Sequence, residues 1–93
     1  MTSLRHNPEV VAQRLGDEAV VVHLRTNLVY ELNHSAARLW ELIGEGCDLA
    51  GIEERLLLEY EVDRTQLAGE IEQMLAEFKG EDLVKVEEPP AGG

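Results

Sequence analysis

The sequence predicts an α+β domain: a three-stranded antiparallel sheet at the N-terminal end, three helices after it, and room for a short C-terminal strand. Three observations predict it. Apolar residues alternate with a period of two across residues 10–32, then recur at helical spacing from Ala36 to Phe78. A Gly-Asp pair interrupts the strand-forming half where a tight turn belongs. Ninety-three residues with a hydrophobic fraction of 44% suffice for one core and not for two.

Residues 1–8 are expected to be a flexible lead-in ending at Pro8, residues 9–86 the domain, and residues 87–93, rich in Pro and Gly, a disordered tail. Val10–Leu15 and Glu18–Arg25 are strands joined by Gly16-Asp17, where glycine supplies the positive φ of a two-residue hairpin turn. In the second strand Val20, Val22 and Leu24 share one face, and Val21, His23 and Arg25 the other. Thr26-Asn27 turns the chain into a third strand, Leu28–Leu32, in which Leu28, Tyr30 and Leu32 alternate with Val29 and Glu31. This strand is expected at the edge of the sheet, with its free backbone groups as the working surface.

Asn33 caps a first helix over residues 35–43; Ala36, Leu39, Trp40 and Ile43 form its apolar face, Trp40 anchors the core, and Gly44 sits at the C-cap. A second helix follows Asp48, with Leu49, Ile52, Leu56 and Tyr60 toward the core and Gly51 weakening its first turn. The third opens at Asp63, with Gln66 completing a capping-box pattern. Leu67, Ile71, Met74, Leu75 and Phe78 make its stripe, and Gly80 ends it. Leu83–Val86 alternates like a brief strand, but the acidic Glu81-Asp82 before it leaves open whether that strand forms.

Charge narrows the functional classes. The net charge is −11, and residues 45–82 hold twelve acids against Arg55, Arg64 and Lys79. Such a surface repels phosphate backbones and anionic lipid and favours a neutral or basic partner. No basic stripe supports nucleic-acid binding: the third helix carries Glu70, Glu72 and Glu77 with only Arg64 and Lys79 opposing them. No apolar run is long enough to span a bilayer, no secretory signal is visible, and the single Cys47 fits a reducing compartment, so a cytoplasmic protein is expected. Cys47 has no partner base in sequence, and with His6, His23 and His34 it matches no zinc spacing. No glycine loop is built to cradle phosphate. Neither enzymatic activity nor a cofactor or metal is expected.

Three pieces in order carry a resemblance: Tyr30-Glu31-Leu32-Asn33-His34-Ser35-Ala36, Leu39-Trp40-Glu41-Leu42-Ile43 and Tyr60-Glu61-Val62-Asp63. Together they resemble the PqqD family over about residues 8–86. The resemblance implies a recognition element of ribosomally synthesised, post-translationally modified peptides: a winged-helix-like domain that binds the leader segment of a precursor and presents it to a modifying enzyme such as a leader peptidase, cyclase or radical enzyme. It implies that the leader adds as a strand beside Leu28–Leu32 and lies against the helix from Asp63 to Lys79. The residues then expected to bind peptide are Leu28, Val29, Tyr30 and Glu31 on the strand, with Leu67, Ile71 and Met74 as the cleft and Glu70 and Glu77 as a rim for a basic leader residue. A lasso-peptide or related pathway is the first expectation. Alternatives are a chaperone of the pyrroloquinoline quinone precursor peptide and a winged-helix DNA-binding regulator. A free edge is compatible with a monomer or a weak homodimer.

Overall fold

The computed structural model describes residues 3–87. Among these the chain forms β1 (Ser3–His6), β2 (Val10–Leu15), β3 (Glu18–His23), β4 (Leu28–Leu32), α1 (His34–Gly44), α2 (Leu49–Glu59), α3 (Arg64–Gly80) and β5 (Val84–Glu87). Strands β2, β3 and β4 make the antiparallel meander, in that order, and β1 pairs with β5 in a separate two-stranded sheet. The α+β class, the three-stranded sheet, the three helices and the short last strand all match the sequence reading. No helix among the described residues is long and apolar enough to cross a membrane.

The lead-in expected over residues 1–8 is corrected by β1. Leu4 pairs with Val86 and His6 with Val84, and Leu4 is buried. The His6 ring stacks on Trp40, with centroids 3.8 Å apart, and its Nε2 lies 2.7 Å from the Trp40 carbonyl oxygen. Local pattern cannot reveal this strand, because its partner lies at the other end of the chain. The Pro- and Gly-rich tail falls outside the described residues except for Glu87, which ends β5.

The second strand stops at His23 rather than Arg25. Asn27 takes a left-handed φ of 62° and donates its N–H to the His23 carbonyl at 2.8 Å, closing the turn two residues early. Asn33, Asp48 and Asp63 cap the three helices as their sequence positions suggest, each accepting a hydrogen bond from a first-turn N–H. Asp63 accepts from Thr65 N–H, not in the reciprocal arrangement that Gln66 would complete. Gly44 is the last residue of α1, not its cap: a Cβ there would come within 2.7 Å of the His6 ring, so close approach of β1 explains the glycine.

Trp40 is the centre of packing, stacked by His6 on one side and met edge-on by Phe78 of α3 on another, at 5.7 Å. Val21, Leu39, Leu42, Ile43, Ile52 and Leu56 fill the space around it, and Leu67, Ile71 and Leu75 bring α3 onto the same core. Leu49, expected inward, is instead largely exposed at the first turn of α2.

The acidic link before β5 turns out to fasten it. Asp82 adopts φ 60°, a conformation that Asp tolerates. Its carboxylate accepts hydrogen bonds from Lys85 Nζ and the Arg25 guanidinium at 2.8 Å, and from Asn7 Nδ2 at 3.1 Å. The buried His23 places Nε2 3.2 Å away, while its Nδ1 accepts the Arg25 backbone N–H at 3.3 Å. That pair of contacts selects the neutral tautomer with the proton on Nε2. The Lys85 hydrogen bond, followed by that of His23, lowers the Asp82 pKa from 3.8 to about 2. A carboxyl depressed in the folded state adds stability that is present above 3.8 and is lost as pH falls through about 2. Asp82→Asn should therefore be less stable than the wild type at neutral pH, with the difference shrinking across that window. Urea midpoints of both proteins at several acid pH values measure it; parallel pH profiles would show that Asp82 is not the linked group.

Candidate functional site

The turn between β2 and β3 fixes which backbone groups of β4 are free. Only Gly16 of the Gly16-Asp17 pair has a positive φ, 64°, as a type II′ turn requires, so Leu15 and Glu18 form a hydrogen-bonded pair. Hydrogen-bonded pairs alternate along an antiparallel ladder, so Glu18, Val20 and Val22 direct their N–H and C=O groups at β2. The Leu24 N–H bond to the Glu9 carbonyl, 2.8 Å, continues that phase. Ala19, Val21 and His23 therefore bond to β4, where their partners are Leu32, Tyr30 and Leu28. The N–H and C=O of Val29 and Glu31 are left pointing away from the sheet. Among the described residues no strand pairs with this edge.

Helix α3 runs beside that edge in the opposite sense, and a furrow lies between them. Its first stretch, about 330 Å³, has Tyr30, Leu32, Phe78 and Leu83 with Glu31, Glu77 and Glu81 around them. The next is lined by Asn33, Ser35, Glu70, Gln73, Met74 and Glu77. The last lies among Ser35, Leu56, Tyr60, Val62, Leu67, Glu70 and Met74. Neighbouring stretches share Glu77, and then Ser35, Glu70 and Met74, so they are one continuous path. From Glu81 back to Leu67 the helix rises roughly 21 Å at ~1.5 Å per residue. An extended chain covers that in about six or seven residues at ~3.3 Å each.

Hydrophobic side chains form much of the path and carboxylates edge it; none of its lining residues is Lys or Arg. At one end the Tyr30 hydroxyl donates to Glu81 Oε2 at 2.8 Å, linking β4 to the end of α3. This bond, more than burial, raises the Tyr30 pKa. At the other end Arg38 of α1 holds Glu59 with two hydrogen bonds, of 2.8 and 2.7 Å, and so fixes the end of α2 next to Tyr60. The same pairing raises the Arg38 pKa and lowers that of Glu59.

Of the residues expected to bind peptide, Tyr30, Glu31, Leu67, Glu70, Met74 and Glu77 line this furrow. Leu28 and Val29 stand on the edge strand, 51% and 61% exposed. Ile71 does not reach the furrow: it is 3% exposed and lines the opposite side of α3, with Leu49, Glu53, Ala68 and Glu72. Four residues advance a helix about 40° past a full turn, enough to carry Ile71 from the Leu67 side to the α2 side. The sequence reading missed Leu32, Phe78, Glu81 and Leu83 at one end and Tyr60 and Val62 at the other. The i, i+3, i+4 series Met74, Glu77, Phe78, Glu81 was the signal for part of the first group; nothing local marks Leu83. Among the described residues no cluster of three His, Cys, Asp or Glu side chains is placed to hold a metal ion.

The sequence pattern of the family described as "Coenzyme PQQ synthesis protein D (PqqD)" matches residues 18–84, from the start of β3 into β5. The chain belongs to the PqqD family. No curated protein sequence matches it. Among solved structures it resembles TbiB1 in complex with the TbiA(beta) leader peptide, with a TM-score of 0.84, 27% identity, and coverage of 87% of this chain and 94% of that one. It shares the fold of a lasso peptide synthetase B1 complexed with its leader peptide, with a TM-score of 0.81, 24% identity, and coverage of 89% and 98%. In this family member the edge strand and α3 are joined by a hydrogen bond that can be tested directly.

A phenol whose pKa is raised by folding contributes stability below its ordinary value of 10.0, lost as pH rises through the folded value. Glu81→Gln is expected to return one of the two tyrosines toward that ordinary value and leave Tyr60, raised chiefly by burial, where it was. Spectrophotometric titration of wild type and variant resolves this; two unmoved transitions would show that the Tyr30–Glu81 bond is not kept in solution.

Proposed function

We propose that the domain binds the leader segment of a ribosomally synthesised precursor peptide as an added strand on the free edge of β4, and presents it to the enzyme that modifies the precursor. The carrying observation is the edge itself: Val29 and Glu31 offer two N–H and two C=O groups beside a furrow with apolar walls. The resemblance to TbiB1 in complex with a leader peptide supports leader binding; a lasso or related pathway is the first candidate. Family membership keeps the pyrroloquinoline quinone precursor as the second candidate ligand. The domain makes and breaks no bond in this reading and uses no cofactor; its partners are the leader and a modifying enzyme such as a leader peptidase, cyclase or radical enzyme.

Magnitudes divide the work between backbone and side chains. Four new backbone hydrogen bonds contribute ~2–6 kcal/mol, at about 0.5–1.5 each. Micromolar affinity needs about 8 kcal/mol net, after the entropy of association has opposed it. Two or three leader side chains buried in the furrow, at roughly 1.5–3 kcal/mol apiece, supply the difference. Backbone pairing fixes register, and the furrow gives selectivity. The carboxylate rim acts mainly on the rate of encounter and the choice of partner.

Val29→Pro removes an outward donor without touching the bonds from β4 to β3, and an edge strand tolerates such a proline. It should weaken binding of a leader peptide, taken from a precursor reading frame beside the gene, by about tenfold or more while circular dichroism stays native. Calorimetric titration with unchanged affinity would sink the docking mode. Reversing both rim charges, Glu70→Lys with Glu77→Lys, should lower affinity for a basic leader, more at low salt than at high salt. A loss independent of salt would mean that these carboxylates do not act by charge.

A further inference from the structure

The two faces of the meander differ in kind. Ala19, Val21 and Leu32 face the helices and belong to the core. Directly paired residues of antiparallel strands share a face, so the pairs Val11–Val22, Val22–Val29, Gln13–Val20, Val20–Glu31 and Leu15–Glu18 all lie on the other one. An outward face of this kind ordinarily carries polar residues. Here Val11, Val22 and Val29 stand in one row across all three strands, with Val20 and Leu15 beside it. Val11 is 50% exposed, Leu15 54% and Val29 61%, while Val20 and Val22 are half-buried. Apolar residues scattered singly over a surface need no explanation, but a contiguous row marks an interaction site.

Two observations choose the occupant. The row ends at Val29, on the strand whose outward N–H and C=O groups are free. A peptide strand added there places its residue opposite Val29 on the same face and extends the row by one member. Whatever docks on this face therefore touches the domain and the bound peptide together. The second observation is charge: the ionisable side chains of these face pairs, Glu18 and Glu31, are both acidic. They repel a second copy of a chain with net charge −11, and complement a partner whose apolar patch carries Lys or Arg at its margin.

Resting on the leader-binding reading, we propose that the outer face of the meander, centred on Val11, Val22 and Val29, docks the modifying enzyme through an apolar patch with a basic margin. The enzyme then recognises the loaded domain over the empty one, because the leader supplies part of its footprint. Val11 and Val22 bind the enzyme alone, since strands β3 and β4 stand between them and the added peptide. Val29 serves both partners, its backbone the peptide and its side chain the enzyme.

The probe is the purified modifying enzyme encoded beside the precursor reading frame, titrated calorimetrically against the full-length domain with and without the leader peptide. It should bind the loaded wild type about tenfold or more tightly than the empty one. Val11→Thr with Val22→Thr keeps β-branched residues in both strands but puts two hydroxyls into the contact. That variant should weaken enzyme binding by about tenfold or more, while leader affinity and circular dichroism stay unchanged. Val11→Ile with Val22→Ile should retain both affinities. Glu18→Lys should weaken enzyme binding, more at low salt than at high salt. Enzyme affinity left unmoved by the threonine variant or by Glu18→Lys, or equal for loaded and empty domain, overturns the assignment and leaves the leader groove standing. A wild-type dimer in sedimentation that the threonine variant dissociates places a second copy on this face and overturns it as well. Failure of the wild type to bind the leader removes the leader-binding reading itself, and the docking assignment with it.

Discussion

The furrow depends on the hydrogen bonds gathered by one carboxylate. Asp82 stands at the corner between α3 and β5 and accepts from Lys85 and Arg25 at 2.8 Å, from Asn7 at 3.1 Å, and from His23 at 3.2 Å. Those donors come from β5, from the β3–β4 hairpin and from the segment after β1. One side chain thus ties the end of α3 to the sheet whose edge it accompanies. Trp40 does the corresponding apolar work below, gripped by His6 of β1 and Phe78 of α3. The polar tie and the aromatic contact together hold helix and strand side by side without letting the helix cover the strand's outward groups.

An unpaired strand is ordinarily a hazard, since it can template pairing with another copy. Here the hazard is limited by charge. Glu31 lies on the strand, Glu77 and Glu81 face it across the furrow, and the whole chain carries −11. Two such edges approaching each other bring like charges together, whereas a neutral or basic peptide meets no such barrier. The acid excess, which from composition alone could be nothing more than a solubilising surface, is in part gathered along this edge and furrow. The Tyr30–Glu81 hydrogen bond adds a link across one end of the same path.

The tertiary structure also gives reasons for residues that composition leaves ambiguous. Gly44 looks like a helix stop and instead makes room for the ring of His6. His23, one of three scattered histidines, is a buried structural donor rather than a ligand. Tyr60 looks like one more core aromatic, but it packs at the margin of the core and also walls one end of the furrow.

What the sequence determined by itself was everything carried by neighbours a few positions apart. The alternation of Leu28, Tyr30 and Leu32, the caps at Asn33, Asp48 and Asp63, and the turn at Gly16 each depend on local backbone geometry. Those signals were enough to place three strands and three helices and to bring most of the expected residues to one face of the molecule. Only the tertiary structure decided that Ser3–His6 is a strand, since Leu4 and Val86 meet across nearly the whole chain. It alone turned Ile71 toward α2 and joined Leu83 to Phe78 and Leu32 in the furrow. The physical reason is the same in each case: contacts between residues distant in sequence depend on how finished elements pack, and no local period records that.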